Sequence, residues 1–417
     1  DLIFIPLTDS YQPVTNGAYS ISEDYSLTKE AFEAVFERLS PGGIVVSSRW
    51  LQNPPSEGLR FVSTILSALE GHTIPDPENV IIIYRGIQTL TVVVKPDGWD
   101  AVELSSLREF LDRCRFDLVW APDLDPAEIN LWNQLPDPIY SSEVRDLFSS
   151  SDRSSYFAKY PFDIKPSRDD HPFFFHFFTW SQAPAIMSSL GKTWQPFGGS
   201  GFLLLIFLLL LVILLSFLMI LTPLWFGGKF QRGMKTPLRT WALLYFGLIG
   251  LAFMFLEIPL ISQWVLFLDT PIQAFSLVVG VLLVSSGFGS MLFNDRRLHN
   301  AWSYPILFLI GGSFILFSKL RGDLILSWPL WVRYLAPILG LSPLGFGMGY
   351  FFPQGMSWIK KSFPGLEPWA WAVNGSASVI ASVLSAVVSL QSGFSLVLLI
   401  GGFIYLCAWT IQRLQTN

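Results

Sequence analysis

GFLLLIFLLLLVILLSFLMILTPLW, residues 201–225, runs without a single charge and consists almost wholly of Leu, Ile, Phe and Val. A helix needs roughly 20 apolar residues to cross a bilayer, so this stretch is expected to be a membrane helix. It separates two kinds of sequence. Upstream the composition is that of an ordinary globular protein. Downstream, apolar blocks recur at 240–264, 272–293, 303–317, 330–352, 369–390 and 394–408. Together with 201–225 they predict seven spans over a domain covering 199–417, and they make the lipid bilayer the first expected partner.

The 417 residues have room for two or three domains. They are 51% hydrophobic and 14% charged, and the charges concentrate before residue 200, so the soluble part comes first. A net charge of -5 argues against a nucleic-acid partner. Cys114 and Cys407 are too few for a disulfide framework and fit no zinc spacing. Asp1 opens the chain without a Met, and LIFIPL is too short for the apolar core of a signal peptide. The chain is therefore expected to be a piece of a longer protein.

Residues 2–7 form a short apolar run that ends at Thr8, Asp9 and Ser10, as suits a buried strand delivering polar residues to a loop. Ser22 is the expected N-cap of the next helix, with Glu23 and Asp24 in its first turn. Ala31, Phe32, Val35, Phe36 and Leu39 share one face of it, and Ser40-Pro41-Gly42-Gly43 ends it. A second strand over 44–48 stops at Arg49-Trp50, a helix follows over 56–69, and strands are expected over 80–84 and 89–94. This order predicts the carboxyl-terminal half of a doubly wound, Rossmann-like α/β sheet over 1–104. Ligands of open α/β sheets bind outside the carboxyl ends of strands. Thr8, Asp9, Tyr11, Asn16, Tyr19 and Arg49 are therefore the candidates for lining a substrate crevice. Asp9 is the first among them and the candidate catalytic residue, with simple loop capping as its bland alternative.

Residues 105–198 are expected to form a small appended lobe and an aromatic linker, with a helix over 107–114 and a strand over 116–120. Its densest feature is Asp169-Asp170-His171-Pro172 followed by FFFHFF. Two Asp and two His suggest a metal site. In an extended segment, however, His171 and His176 are five apart and point to opposite faces, so packing of the aromatic rings is expected instead, and no metal.

In the membrane half, Ser286, Gly287, Gly289 and Ser290, and again Gly345, Gly347 and Gly349, fall at the spacing of close helix packing. Glycines 345–349 superficially resemble a nucleotide loop, but no strand precedes them. Glu257 is the only carboxylate well inside an expected span. A charge there is costly and faces a bundle interior or a proton or substrate path. Pro259 frees a backbone carbonyl that could share such a site. The alternative is a protonated Glu257 bonded to a neighbouring helix, with Gln263 or Asn374 as partner; Asn374 is itself expected to bond between helices.

Taken together, DLIFIPLTDS, GAYSISEDYSLTKEAF, LSPGGIVVSSRW and DDHPFFFHFF in the soluble half, with FMFLEIPLI, SSGFGS and PWAWAVNGSASVIASVL in the membrane half, resemble the membrane-embedded proteins of the spermidine-synthase-like group. The resemblance covers nearly the whole chain. It implies a soluble part with the class I methyltransferase fold, in which residues 2–7 are the fourth strand and the nucleotide-binding half lies upstream of Asp1. It also implies an aminopropyl- or methyltransferase in the full-length protein, with S-adenosylmethionine or its decarboxylated form as cofactor and a polyamine or other amine as substrate. The piece by itself is then expected to be inactive and not to hold the cofactor tightly. One departure concerns the chemistry. The family's paired acidic residues fall here on Pro6 and Asp9, and its following proline on Ser10; proline cannot act as a base.

Two other functions compete with the transferase: a transporter-like bundle, motivated by Glu257, and a noncatalytic scaffold, motivated by Pro6. Orientation divides them further. With seven spans, Lys229, Arg232, Lys235, Arg239, Arg296, Arg297, Lys360, Lys361 and Arg413 share one side, against Lys192, Lys319, Arg321 and Arg333 on the other. The positive-inside rule then puts the soluble half outside. The resemblance implies a cytoplasmic domain at a bacterial-type plasma membrane.

Overall fold

The computed structural model describes residues 1–7, 21–72, 74–184, 200–222, 236–268, 270–292 and 303–416. The chain divides into two compact units, Asp1–Leu204 and Leu205–Asn417.

Unit 1 is built on one mixed sheet. In chain order it contains β1 (Leu2–Ile5), α1 (Lys29–Arg38), β2 (Ile44–Trp50), α2 (Glu57–Gly71), β3 (Ile81–Arg85), β4 (Thr89–Val94), α3 (Ala101–Cys114), β5 (Asp117–Trp120), α4 (Ile139–Ser149) and α5 (Arg153–Lys159). The strand order is β1-β2-β4-β3-β5. β1 and β2 pair in parallel across the α1 crossover, Leu2 against Ile44 and Ile5 against Ser47. β4 turns back antiparallel between β2 and β3, and β5 adds antiparallel to β3.

Local chemistry explains where these elements begin. The expected N-cap, Ser22, does not start α1. Asp24 instead accepts the Ser26 amide at 2.9 Å and caps a single 3-10 turn. Thr28 then caps α1 by accepting the Ala31 amide at 3.3 Å. Phe32 and Phe36 face inward from α1 and meet Phe61 and Leu69 of α2, Ile81 and Ile83 of β3, and Val92 of β4 in the main core. Tyr140, Val144 and Leu147 of α4, and Phe174, Phe175 and Phe177, belong to that same core.

Unit 2 is helical: the greater part of α6 (Ser200–Ser216), then α7 (Thr236–Leu268), α8 (Pro271–Leu292), α9 (Ser303–Leu320), α10 (Gly322–Ser327), α11 (Leu330–Ser362), α12 (Glu367–Ser392) and α13 (Phe394–Thr416). Six helices among the described residues are long and apolar enough to cross a membrane, and α9 carries a shorter apolar section over Pro305–Leu320. The chain is an integral, multi-pass membrane protein. α7 and α11 run 33 residues each, well past the expected spans, because their polar ends at Arg239 and at Lys360 and Lys361 continue the same helix.

Helix directions follow from the contacts. Asn374 and Ser378 of α12 reach the carbonyls of Phe246 and Gly250 of α7, so these two helices run parallel. Gly345 of α11 lies against Leu282 and Ser285, and Gly349 one turn on lies against Ser286, so α8 and α11 are parallel as well. Gly311 of α9 touches Leu344, and Phe314 touches Gly340, so α9 runs against α11. α9 therefore runs back between two parallel helices, although its apolar section is shorter than those of the six long helices.

Candidate functional site

The carboxyl ends of β1 and β2 are where a ligand of such a sheet is expected. Of the candidate residues there, Thr8, Asp9, Tyr11, Asn16 and Tyr19 lie outside the described residues; Arg49 is within them. The parallel register ends at Ile5 opposite Ser47, two residues before Arg49 on β2. Alternation along β2 buries Val45, Ser47 and Arg49 on one face, and the Arg49 guanidinium stands 5.5 Å from the centre of the Phe61 ring of α2.

α2, which carries Phe61, is unusually polar for a buried helix. Glu57 and Arg60, in the first turn of α2, are fully buried, as are Ser63 and Thr64. Gln52 organises the approach to α2. Its amide donates to the Tyr140 hydroxyl at 2.8 Å, that hydroxyl donates back to the Gln52 carbonyl, and its side chain donates to Glu57 at 3.2 Å and accepts from Ser56. The hydroxyls of Ser47 and Ser63 have no hydrogen-bond partner among the described residues. Orphaned buried hydroxyls cost about 1–3 kcal/mol each and mark a place where a further polar group fits.

Arg60 has a different task. Its Nη1 donates to the carbonyls of Phe173, Phe174 and His176 at 3.1, 2.9 and 2.8 Å, and its Nη2 pairs with Asp163 at 2.8 Å. Burial lowers the Arg60 pKa from its usual value, while Asp163 opposes that. The guanidinium thus folds the aromatic run into a turn over α2. No signal in the local sequence marks this, because the partners lie more than 100 positions away.

The same run contains the residues that suggested a metal. Asp169 accepts from Thr28 at 2.6 Å, and its amide donates to Glu30 at 3.0 Å. His176 is 1% exposed, lies 5.4 Å from the Phe202 ring, and has no hydrogen-bond partner on either ring nitrogen among the described residues. Burial, reinforced by Arg60, pushes it down to about 3. Among the described residues no group of three His, Cys, Asp or Glu is placed to hold a metal ion.

In unit 2, Asn374 donates to the Phe246 carbonyl of α7 at 3.0 Å, and Gly250 lets the two helices approach at that point. Its amide is therefore turned toward α7. Glu257 is 8% exposed and has no hydrogen-bond or ion-pair partner among the described residues; neither Gln263 nor Asn374 is bonded to it. Comparison with protein-family models, curated proteins and solved structures gives no match to this chain.

Proposed function

We propose that this chain is the membrane-anchored part of a transferase that uses S-adenosylmethionine or its decarboxylated form and passes a methyl or aminopropyl group to an amine, a polyamine being the expected class. Asp9 orients the cationic amine, with Thr8, Tyr11, Asn16, Tyr19 and Arg49 lining the crevice, and the domain faces the cytoplasm of a bacterial-type cell. The observation that carries this is the β1–α1–β2 unit: two parallel strands in register whose carboxyl ends meet beside a buried guanidinium. The edge of β1 adds support. Leu2 and Phe4 are 66% and 58% exposed, while Ile3 and Ile5 pack on the core, so β1 is apolar on both faces, as a strand inside a larger parallel sheet would be.

Calorimetric titration of the full-length protein with each form of the cofactor tests the assignment. Saturable heat is expected with one of them; flat titrations with both overturn it. Pro6, which stands where the family has its first acidic residue, favours a second reading: a noncatalytic scaffold that retains the fold. Turnover of a labelled cofactor by the full-length protein excludes the scaffold. Labelling of a Ser149→Cys variant in a background lacking Cys114 and Cys407 reports the side on which the domain lies.

A further inference from the structure

Some polar side chains inside the bundle are taken up by backbone or by each other, while the hydroxyls of Ser376, Ser385 and Ser389 have no hydrogen-bond partner among the described residues. Asn374 and Ser378 bond to α7 carbonyls, the Tyr245 hydroxyl donates to the Phe351 carbonyl at 2.6 Å, and Gln412 donates to Tyr350 at 3.1 Å. Glu257 differs. It is buried within α7, flanked by the core residues Leu256 and Leu260, and no cation is paired with it among the described residues.

The titratable group coupled to it electrostatically is the Tyr405 hydroxyl. Gly401 of α13 admits Leu256 and the Phe255 backbone to van der Waals distance, which brings α13 against α7 next to Glu257. Tyr405 follows one turn later, and a helical side chain leans back toward the amino end of its own helix, here toward Gly401. Tyr405 is 3% exposed, its ring is boxed by Phe308 at 5.0 Å and Phe351 at 5.1 Å, and it lies within electrostatic reach of Glu257. The other elements packed on α7 offer little else. α8 carries no titratable residue, α12 only Glu367 at its first position, and α11 has Tyr350 within the bundle and Arg333, Tyr334, Lys360 and Lys361 toward its ends. α13 adds Cys407 and Arg413, and α7 itself Arg239 and Tyr245.

An ionised carboxylate buried without a cation costs several kcal/mol, far more than the neutral acid does. Carboxyls kept inside spans at such cost face proton or ion paths.

We propose that Glu257, with Tyr405 beside it, is a proton-binding site within the membrane bundle. Closed around it, the bundle holds the carboxylic acid. When water reaches it, the O–H bond breaks, the proton passes to water, and the Tyr405 hydroxyl is the donor at hand for the carboxylate left behind. The proposal is independent of any transferase activity in unit 1.

A hydrophobic carbodiimide, which modifies protonated carboxyls within bilayers, tests it on the full-length protein in lipid vesicles, with adducts mapped by mass spectrometry. An adduct on Glu257 is expected near pH 5, falling about tenfold or more toward about pH 9 as the acid ionises. Tyr405→Phe should move the midpoint by about half a pH unit or more, and Glu257→Gln should remove the adduct. The wild-type labelling needs no variant to fold. The exposed Asp323, reacting with a water-soluble carbodiimide, controls for reagent. Absence of a Glu257 adduct while Asp323 reacts, or a yield that is constant across that range, overturns the proposal.

Discussion

Replacing Arg60 with Met should undo much of unit 1, although the substitution keeps the side chain's length and apolar stem. Arg60 is 1% exposed and serves four acceptors at once: three carbonyls of the aromatic run and the carboxylate of Asp163. Removing one member of a buried ion pair costs about 3–5 kcal/mol because the remaining charge stays buried. Asp163 is one-fifth exposed, which argues for the lower end of that range. The carbonyls of Phe174 and His176 would be orphaned, whereas that of Phe173 still accepts the His176 amide at 3.0 Å; two such losses argue for the upper end, at about 1 kcal/mol or more each where water cannot reach them. A loss of about 4 kcal/mol is therefore expected, a large share of the 5–15 kcal/mol typical of a domain. Pulse proteolysis in urea reads it on unit 1 while detergent protects the helices of unit 2. With a slope of about 2 kcal/mol per molar urea, the cleavage midpoint should fall by about 2 M. Arg60→Lys keeps the charge but not the planar fork, and should lose about half as much. In the double variant with Asp163→Asn the two losses should not add, since the Asn leaves no uncompensated charge. A midpoint for Arg60→Met within about 0.5 M of the parent would refute the clamp.

Two titrating residues in the same region should act in opposite directions. His176 is held down to about 3 by burial, so the unfolded chain binds a proton below about pH 6.5 that the folded unit refuses. Its stability is full above that pH and drops by about 1.4 kcal/mol per unit below it; His176→Phe should abolish the drop and add about 1 kcal/mol at neutral pH, read from proteolysis midpoints at two pH values. Asp169 is pushed up to about 6, first by burial and also by Glu30 and Glu33, against the pull of its Thr28 hydrogen bond. The folded unit thus takes up that proton first and gains stability as the pH falls through 6; Asp169→Asn should remove the gain and leave the protein more acid-labile than the parent. In unit 2, a Cβ at Gly349 would collide with the Ser286 carbonyl, whereas one at Gly287 meets nothing within 4 Å. Gly349→Ala should cost about 1–3 kcal/mol, seen as a lowered melting temperature in detergent, and Gly287→Ala should be neutral.

Period and composition alone reveal much of this architecture. The uncharged run at 201–225, the apolar blocks after it and the strands near 44–48, 80–84 and 89–94 all lie close to observed elements, because each rests on local hydrophobic pattern. Features that depend on distant partners are not legible in the same way. Thr28 outcompetes Ser22 as a cap partly because Asp169, 141 positions on, holds its hydroxyl. β5 joins the main sheet through pairing with β3, which no local pattern announces. Arg60 reads as an ordinary helical Arg until the aromatic run closes on it. Ser47 and Ser63 look like surface serines, and only the pairing of β2 with α2 turns their hydroxyls inward.

The alternating helix directions also give the bundle two unlike ends. Arg239, Lys360, Lys361, Arg413 and Glu367 lie at the end where α7 begins, while Lys319, Arg321, Asp323 and Arg333 lie at the end where it finishes. Glu257 is not midway between them. At about 1.5 Å per residue, roughly 16 Å of helix separates it from Leu268 and roughly 31 Å from Thr236. For the proton-binding site proposed above, the Leu268 end is therefore the nearer entrance, about half as far along the helix as the other, and cations stand at both.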